Sequence, residues 1–304
     1  LFLLILSFPA SAQIQLGADI DGEAAEDFSG YSVSLSSDGT IMAIGARWND
    51  GNGSNAGHVR VYEDSSGTWV QLGADIDGEA AVDWSGSSVS LSSDGTIVAI
   101  GAIYNDGNGS KSGHVRVYEY TSGSWSQLGA DIDGEVAFDR SGYSVSLSSD
   151  DTIVAIGAPW NDGNGNVAGH VRVYEYTSGS WSQLGADIDG EAGGDKSGYS
   201  VSLSSNGSTI AIGANYNVGN GTNAGHVRVY EDSSGTWVQI GADIDGEAAG
   251  DFSGYSVSLS SDGSTVAIGA IFNDDNGLSS GHVRIYEDSS GTWVQLGSDI
   301  DGEA

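Results

Sequence analysis

Along the chain, short apolar runs alternate with small polar residues and are separated by turn residues. Tyr31-Ser32-Val33-Ser34-Leu35-Ser36 alternates at every step, which predicts a strand with one buried face. Ser37-Asp38-Gly39-Thr40 is turn chemistry, with a glycine free to take positive φ. Ile41-Met42-Ala43-Ile44-Gly45-Ala46 is apolar on both faces and predicts a central strand. Its Ala43 and Gly45 are small enough for a neighbouring sheet to approach closely. After the Gly- and Asn-rich loop Asn49-Asp50-Gly51-Asn52-Gly53, the stretch Gly57-His58-Val59-Arg60-Val61-Tyr62-Glu63 alternates again as a third strand. Ser65-Ser66-Gly67-Thr68 predicts a hairpin turn, and Thr68-Trp69-Val70-Gln71-Leu72 a fourth strand. The apolar spacing of three and four that helix pairs require is missing.

This pattern repeats. Gln15-Leu16-Gly17-Ala18-Asp19-Ile20-Asp21-Gly22-Glu23 recurs in close copies from Gln71, Gln127, Gln183, Gln239 and Gln295, every 56 residues. The units are 15–70, 71–126, 127–182, 183–238 and 239–294, with a partial copy at 295–304. Such a period means a solenoid, a propeller or an array. Four short antiparallel strands per unit fit one propeller blade, whereas a β-solenoid coil is normally shorter. The expected fold is therefore all-β, a β-propeller of four-stranded antiparallel blades. Six copies of the acidic segment against five of everything else favour a ring of six to eight blades.

Before the first unit, Leu1-Phe2-Leu3-Leu4-Ile5-Leu6 leads to Ala10-Ser11-Ala12 and Gln13. An apolar run ending in A-x-A reads as the end of a secretory signal peptide. Residues 1–12 are thus expected to be a signal remnant and 13–304 the exported propeller, secreted or on the cell surface.

The motif residues resemble the FG-GAP repeat, the blade unit of integrin alpha-subunit propellers and of many exported microbial proteins. The resemblance is carried by Phe28-Ser29-Gly30, Ile44-Gly45-Ala46, the literal Gly157-Ala158-Pro159, and Gly57-His58-Val59-Arg60-Val61-Tyr62. It covers all five units and implies a propeller, often of seven blades, in extracellular adhesion or binding. The calcium loop that integrin-like units place between their first two strands is replaced here by the tight turn Ser37-Asp38-Gly39-Thr40. The family's calcium site is therefore not carried over, and the match is nearer to the short bacterial-type variant.

Composition narrows the function. Asp and Glu number 42 against 9 Lys and Arg, a net charge of −33. Nothing in such a chain neutralises a row of phosphates, so nucleic acid is not an expected partner. Without cysteine, a disulfide frame and thiolate chemistry are excluded. Apart from the leader, no stretch is apolar and long enough to span a membrane.

The acid is concentrated in one motif, D-x-D-G-E-x-x-x-D. It places Asp19, Asp21, Glu23 and Asp27 before the first blade. The copies are Asp75, Asp77, Glu79 and Asp83; Asp131, Asp133, Glu135 and Asp139; Asp187, Asp189, Glu191 and Asp195; Asp243, Asp245, Glu247 and Asp251. Alternating oxygens followed by further acid suit a hard cation, so these are candidate Ca²⁺ ligands. The alternative is a solvated acidic loop whose last Asp caps a turn. A second candidate site is the loop after the second strand, which pairs an aromatic with Asn: Trp48 and Asn49, Tyr104 and Asn105, Trp160 and Asn161, Tyr216 and Asn217, Phe272 and Asn273. Aromatic faces beside amides suit a sugar ligand; the alternative is a cap over the gap between blades. The five histidines, His58, His114, His170, His226 and His282, occupy one column and read as blade-packing or hydrogen-bonding residues.

Five equivalent units offer no singular constellation of the kind catalysis uses. The leading expectation is an exported, non-enzymatic propeller for adhesion or ligand binding, with Ca²⁺ as candidate cofactor and an extracellular protein or glycan as partner. A glycan-binding, lectin-like propeller and the platform part of a larger secreted enzyme are the alternatives.

Overall fold

A computed structural model describes residues 15–303, so the expected signal remnant lies outside the described residues. The described chain is all-β, with five sheets in sequence. In the first blade, β1 (Ser29–Leu35), β2 (Ile41–Ala46), β3 (His58–Asp64) and β4 (Trp69–Gln71) pair antiparallel in that order. The other four blades repeat this arrangement. No helix among the described residues is long and apolar enough to cross a membrane.

One strand was not legible in the repeat. β5 (Ile76–Asp77), inside the acidic motif, folds back onto the start of β3, pairing Asp77 with His58 and Ile76 with Val59. Each structural blade is thus offset from the sequence repeat and closed by the next copy's first residues. The reason is burial: Ile76, Ile132, Ile188 and Ile244 are all buried between carboxylates that stay outside.

Burial occurs mainly between blades. One core packs Ala43, Val59, Val61 and Ile76 of the first blade against Val89, Leu91, Val98 and Ile100 of the second. The same composite core recurs at the next three junctions. The innermost strands lie side by side, and Ser32 Oγ donates to the Gly86 carbonyl at 2.8 Å while Ser34 Oγ accepts from Leu91 N at 2.9 Å. The five sheets do not close into a ring. Val33 is 62% exposed where its counterpart Val89 is 9% exposed, and Ile300 is 56% exposed where Ile76 is 5%.

The turn between the first two strands shows one local conflict. Gly39, Gly95, Gly207 and Gly263 have φ between 69° and 76°, but the third blade places Asp151 there, at φ 66°. A side chain in the left-handed region costs about 1 kcal/mol. Burial, with Asp94 adding to it, also pushes the Asp151 carboxyl up to about 6 from 3.8. The folded form therefore holds its proton longer than the unfolded form, and stability falls as pH rises through about 6. Asp151→Gly is expected to raise stability by about 1 kcal/mol from the backbone alone, with a larger gain at pH 7.5 than at pH 5. Urea midpoints at the two pH values check both points.

Candidate functional site

Strand register assembles one edge of each blade. Ala46, the last residue of β2, pairs with Ser29 at the start of β1 and with His58 at the start of β3. The acidic motif, the loop after β2 and the histidine column therefore share this edge. Gly57 bridges Ser85, and Gly113 bridges Ser141, so successive blades present the same edge side by side.

The four carboxylates of one motif separate instead of converging. Asp27, Asp83, Asp139, Asp195 and Asp251 are buried. Asp139 accepts hydrogen bonds from Val136 N at 3.0 Å and from Asn161 Nδ2 at 3.1 Å. Burial pushes the carboxyls of Asp83 and Asp139 up. Asn161 Oδ1 in turn accepts from Gly163 N at 2.7 Å, and Asn49, Asn105 and Asn217 are held likewise. Asn273 bonds Asp251 and Asp275 N in the same manner. The Asn column and the last Asp of each motif thus form a buried latch. Asp21, Asp77, Asp133, Asp189 and Asp245 use their backbone carbonyls to accept from the arginines of the following blade, as in Arg172 to Asp133 at 2.7 Å.

The remaining two acids meet a histidine. Glu23 of one motif and Asp75 of the next converge on His58, and the grouping recurs as Glu79, Asp131 and His114; Glu135, Asp187 and His170; Glu191, Asp243 and His226; and Glu247, Asp299 and His282, which Asp275 joins in the fifth blade. His58, His114, His170 and His226 are each 1% exposed. Burial, reinforced by the neighbouring arginine, holds the imidazoles of His114, His170 and His226 down to about 4, which keeps them neutral at pH 7. The sequence reads this column as packing or hydrogen-bonding. It is buried, but its Nδ1 atoms face carboxylates from two different repeats, a meeting that only the fold creates.

The same edge carries a continuous arc of rings and cations. Phe28 lies 4.3 Å from Trp48, Trp48 5.7 Å from Trp84, and Trp84 4.3 Å from Tyr104, measured between ring centroids. Arg140 then stands 5.2 Å from the Tyr104 ring and 4.2 Å from the Trp160 ring. Lys196 lies 5.3 Å from the Trp160 ring and 3.6 Å from the Tyr216 ring. Tyr216, Phe252 and Phe272 complete the arc at 4.9 and 5.3 Å. The aromatics named from sequence, Trp48, Tyr104, Trp160, Tyr216 and Phe272, supply every second member.

The alternate members, Phe28, Trp84, Arg140, Lys196 and Phe252, were missed. All five sit at φ between 55° and 59°, a conformation that costs large side chains energy and that accumulates at functional sites. Two signals could have found them: an aromatic or a cation in every copy before Ser-Gly, and the distribution of positive charge. Every cation outside the Arg60 column, namely Arg47, Lys111, Arg140 and Lys196, lies against a ring of this arc. Tyr143, Tyr199 and Tyr255 meet as tilted pairs at 4.9 and 5.1 Å and line, with the first strands of all five blades, a shallow depression.

Comparison with known proteins agrees with this architecture. The family model for the FG-GAP repeat matches residues 18–62, 74–118 and 236–286. No curated protein matches the chain significantly. Among solved structures, a putative 6-phosphogluconolactonase from Bacteroides uniformis is similar at TM-score 0.61 and 14% identity, over 90% of this chain and 73% of that one. Hydrazine synthase of Kuenenia stuttgartiensis is similar at TM-score 0.58 and 14% identity, over 93% and 69%. The periplasmic gluconolactonase of Pseudomonas aeruginosa is similar at TM-score 0.58 and 17% identity, over 88% and 70%. At these identities the likeness concerns the fold alone.

Proposed function

Since the chain is an FG-GAP repeat protein, we propose that it acts outside the cell as a non-enzymatic binding propeller in adhesion, docking a macromolecular ligand on the edge that carries the arc. The observation that carries this reading is the arc itself. Trp, Tyr and Arg are the residues that dominate binding energy at protein interfaces. Here they form one contiguous, partly exposed band in a chain of net charge −33, on the blade edge that also carries the acidic histidine clusters. Holding its alternate members in strained backbone has no evident benefit for packing, since Gly or Asn would fit the left-handed region at less cost. Cation dependence enters through the clusters that pair two motifs with a histidine, not through a calcium loop within one motif.

A glycan is the second reading, favoured by rings such as Phe272, 45% exposed. Hydrogen exchange tests the docking edge. The chain alone is compared with the chain saturated by its strongest binder from collagen, fibronectin and mucin. Protection is expected around residues 27–30, 47–50, 83–86 and 103–106. Protection confined to the opposite turns, such as Ser37–Thr40, is the contrary outcome.

A further inference from the structure

We propose that each blade holds a zinc-class divalent cation between one histidine Nδ1 and two carboxylate oxygens, donated by the acidic motifs that precede and follow that blade. In the third blade the donors are His170 Nδ1, Glu135 Oε2 and Asp187 Oδ2, with the nitrogen 3.8 and 3.7 Å from the two oxygens. The other four blades repeat these distances within 3.6 to 3.9 Å. Such gaps are too long for hydrogen bonds. A tetrahedral ion with bonds of about 2.0–2.1 Å sets its donors about 3.3 Å apart; the nitrogen–oxygen edges lie within a few tenths of an ångström of that, and the oxygen–oxygen edge lies within 4.8 Å.

A second observation, independent of the acids, points to a ligand. The Nδ1 atoms of His114, His226 and His282 are buried and have no hydrogen-bond partner. Their residues are 1, 1 and 5% exposed, and a buried, unpartnered polar atom requires an explanation. Each of these atoms faces the two carboxylates of its own cluster.

The carboxylates are also held in the way metal ligands are. In each pair one oxygen faces the histidine while the other is engaged elsewhere. Gln183 Nε2 donates to Asp187 Oδ1 at 2.6 Å, and Arg172 lies 3.7 Å from Glu135 Oε1. Outer partners of this kind fix the orientation of ligating groups. The donor set selects the ion: imidazole with two carboxylates suits zinc and its neighbours, whereas calcium takes six to eight oxygens. Three protein ligands leave a fourth position open to water or to an oxygen of the bound ligand in the first four blades, whereas Asp275 stands within reach of it in the fifth. The ion would tie the third strand of a blade to the two loops flanking it, beside the docking edge.

The test uses the tag-free chain after removal of metal by EDTA. Titration calorimetry with ZnCl₂ should give up to five sites per chain and CaCl₂ far weaker binding, while Co²⁺ should give the visible absorption of a nitrogen- and oxygen-ligated ion. His170→Ala should remove one zinc equivalent and a corresponding fraction of the cobalt absorption. Glu135→Gln changes a half-exposed side chain without changing its volume, and should do the same if His170→Ala fails to fold. Absence of zinc binding overturns the proposal, and so does a zinc count that neither variant alters. Calcium binding equal to that of zinc overturns it as well.

Discussion

Replacing Gly157 by Ala is expected to destabilise the chain by about 3 kcal/mol or more, among the largest effects of any single methyl group. Gly157 lies in the central strand of the third blade, and a Cβ there would run into the backbone carbonyl of Gly198 in the fourth blade and into Ser144 Oγ. Its backbone conformation is ordinary, so the cost arises from the collision and not from φ. The serine can rotate away, but the carbonyl belongs to the neighbouring sheet, and moving it opens the composite core of Ala155, Val171, Leu203 and Ile210. The equivalent Gly269 of the fifth blade is the internal control. There a Cβ would crowd only Ser256 within the same blade. Gly269→Ala should therefore cost about 1 kcal/mol or less, since a rotamer change relieves it. Equal urea midpoints for the two variants would show that close approach of blades is not what the glycine serves.

Much of the fold was legible because strand alternation and the repeat reinforced one another. Tyr31–Ser36 and Ile41–Ala46 each show their own period, and five copies in register remove accidental matches. β5 was not legible, because Ile76 is a single apolar residue between two acids and two residues show no period. Its existence depends on a free stretch on the outer edge of β3, which only pairing reveals.

The site was legible in its parts and not in its assembly. The acidic motif looked like one cation loop because its oxygens alternate. In the fold, however, only Ile76 and Asp77 pair as strand, and the acids along the motif serve different partners. Glu79 goes forward to His114 and Arg116, Asp75 goes back to His58, and Asp83 goes inward to Asn105. The histidine column carried no sign of this, since its carboxylates stand 35 residues before it and 17 after it in the chain. The loop aromatics were identified, but the asparagines beside them proved to be latches. The intervening Phe28, Trp84, Arg140, Lys196 and Phe252 column changes side-chain type from copy to copy, which conceals a constant geometry.

The largest functional effect is expected from Trp84→Ala together with Trp160→Ala. These indoles stand on either side of the Tyr104 and Arg140 pair, at the middle of the arc. Both are partly buried but lie outside the composite cores between blades, so the unfolding midpoint of the double variant is measured beside its affinity. Truncating a central Trp at an interface typically costs about 2 kcal/mol, and every 1.4 kcal/mol is about tenfold in affinity. Two such losses, allowing for some non-additivity, weaken binding by about a hundredfold or more. The decisive measurement is the affinity of the wild-type chain and of this double variant for the strongest binder among collagen, fibronectin and mucin, read by surface plasmon resonance with zinc present. The account predicts at least a hundredfold weaker binding for a variant that unfolds like the wild type. Equal affinity for the two proteins would contradict it.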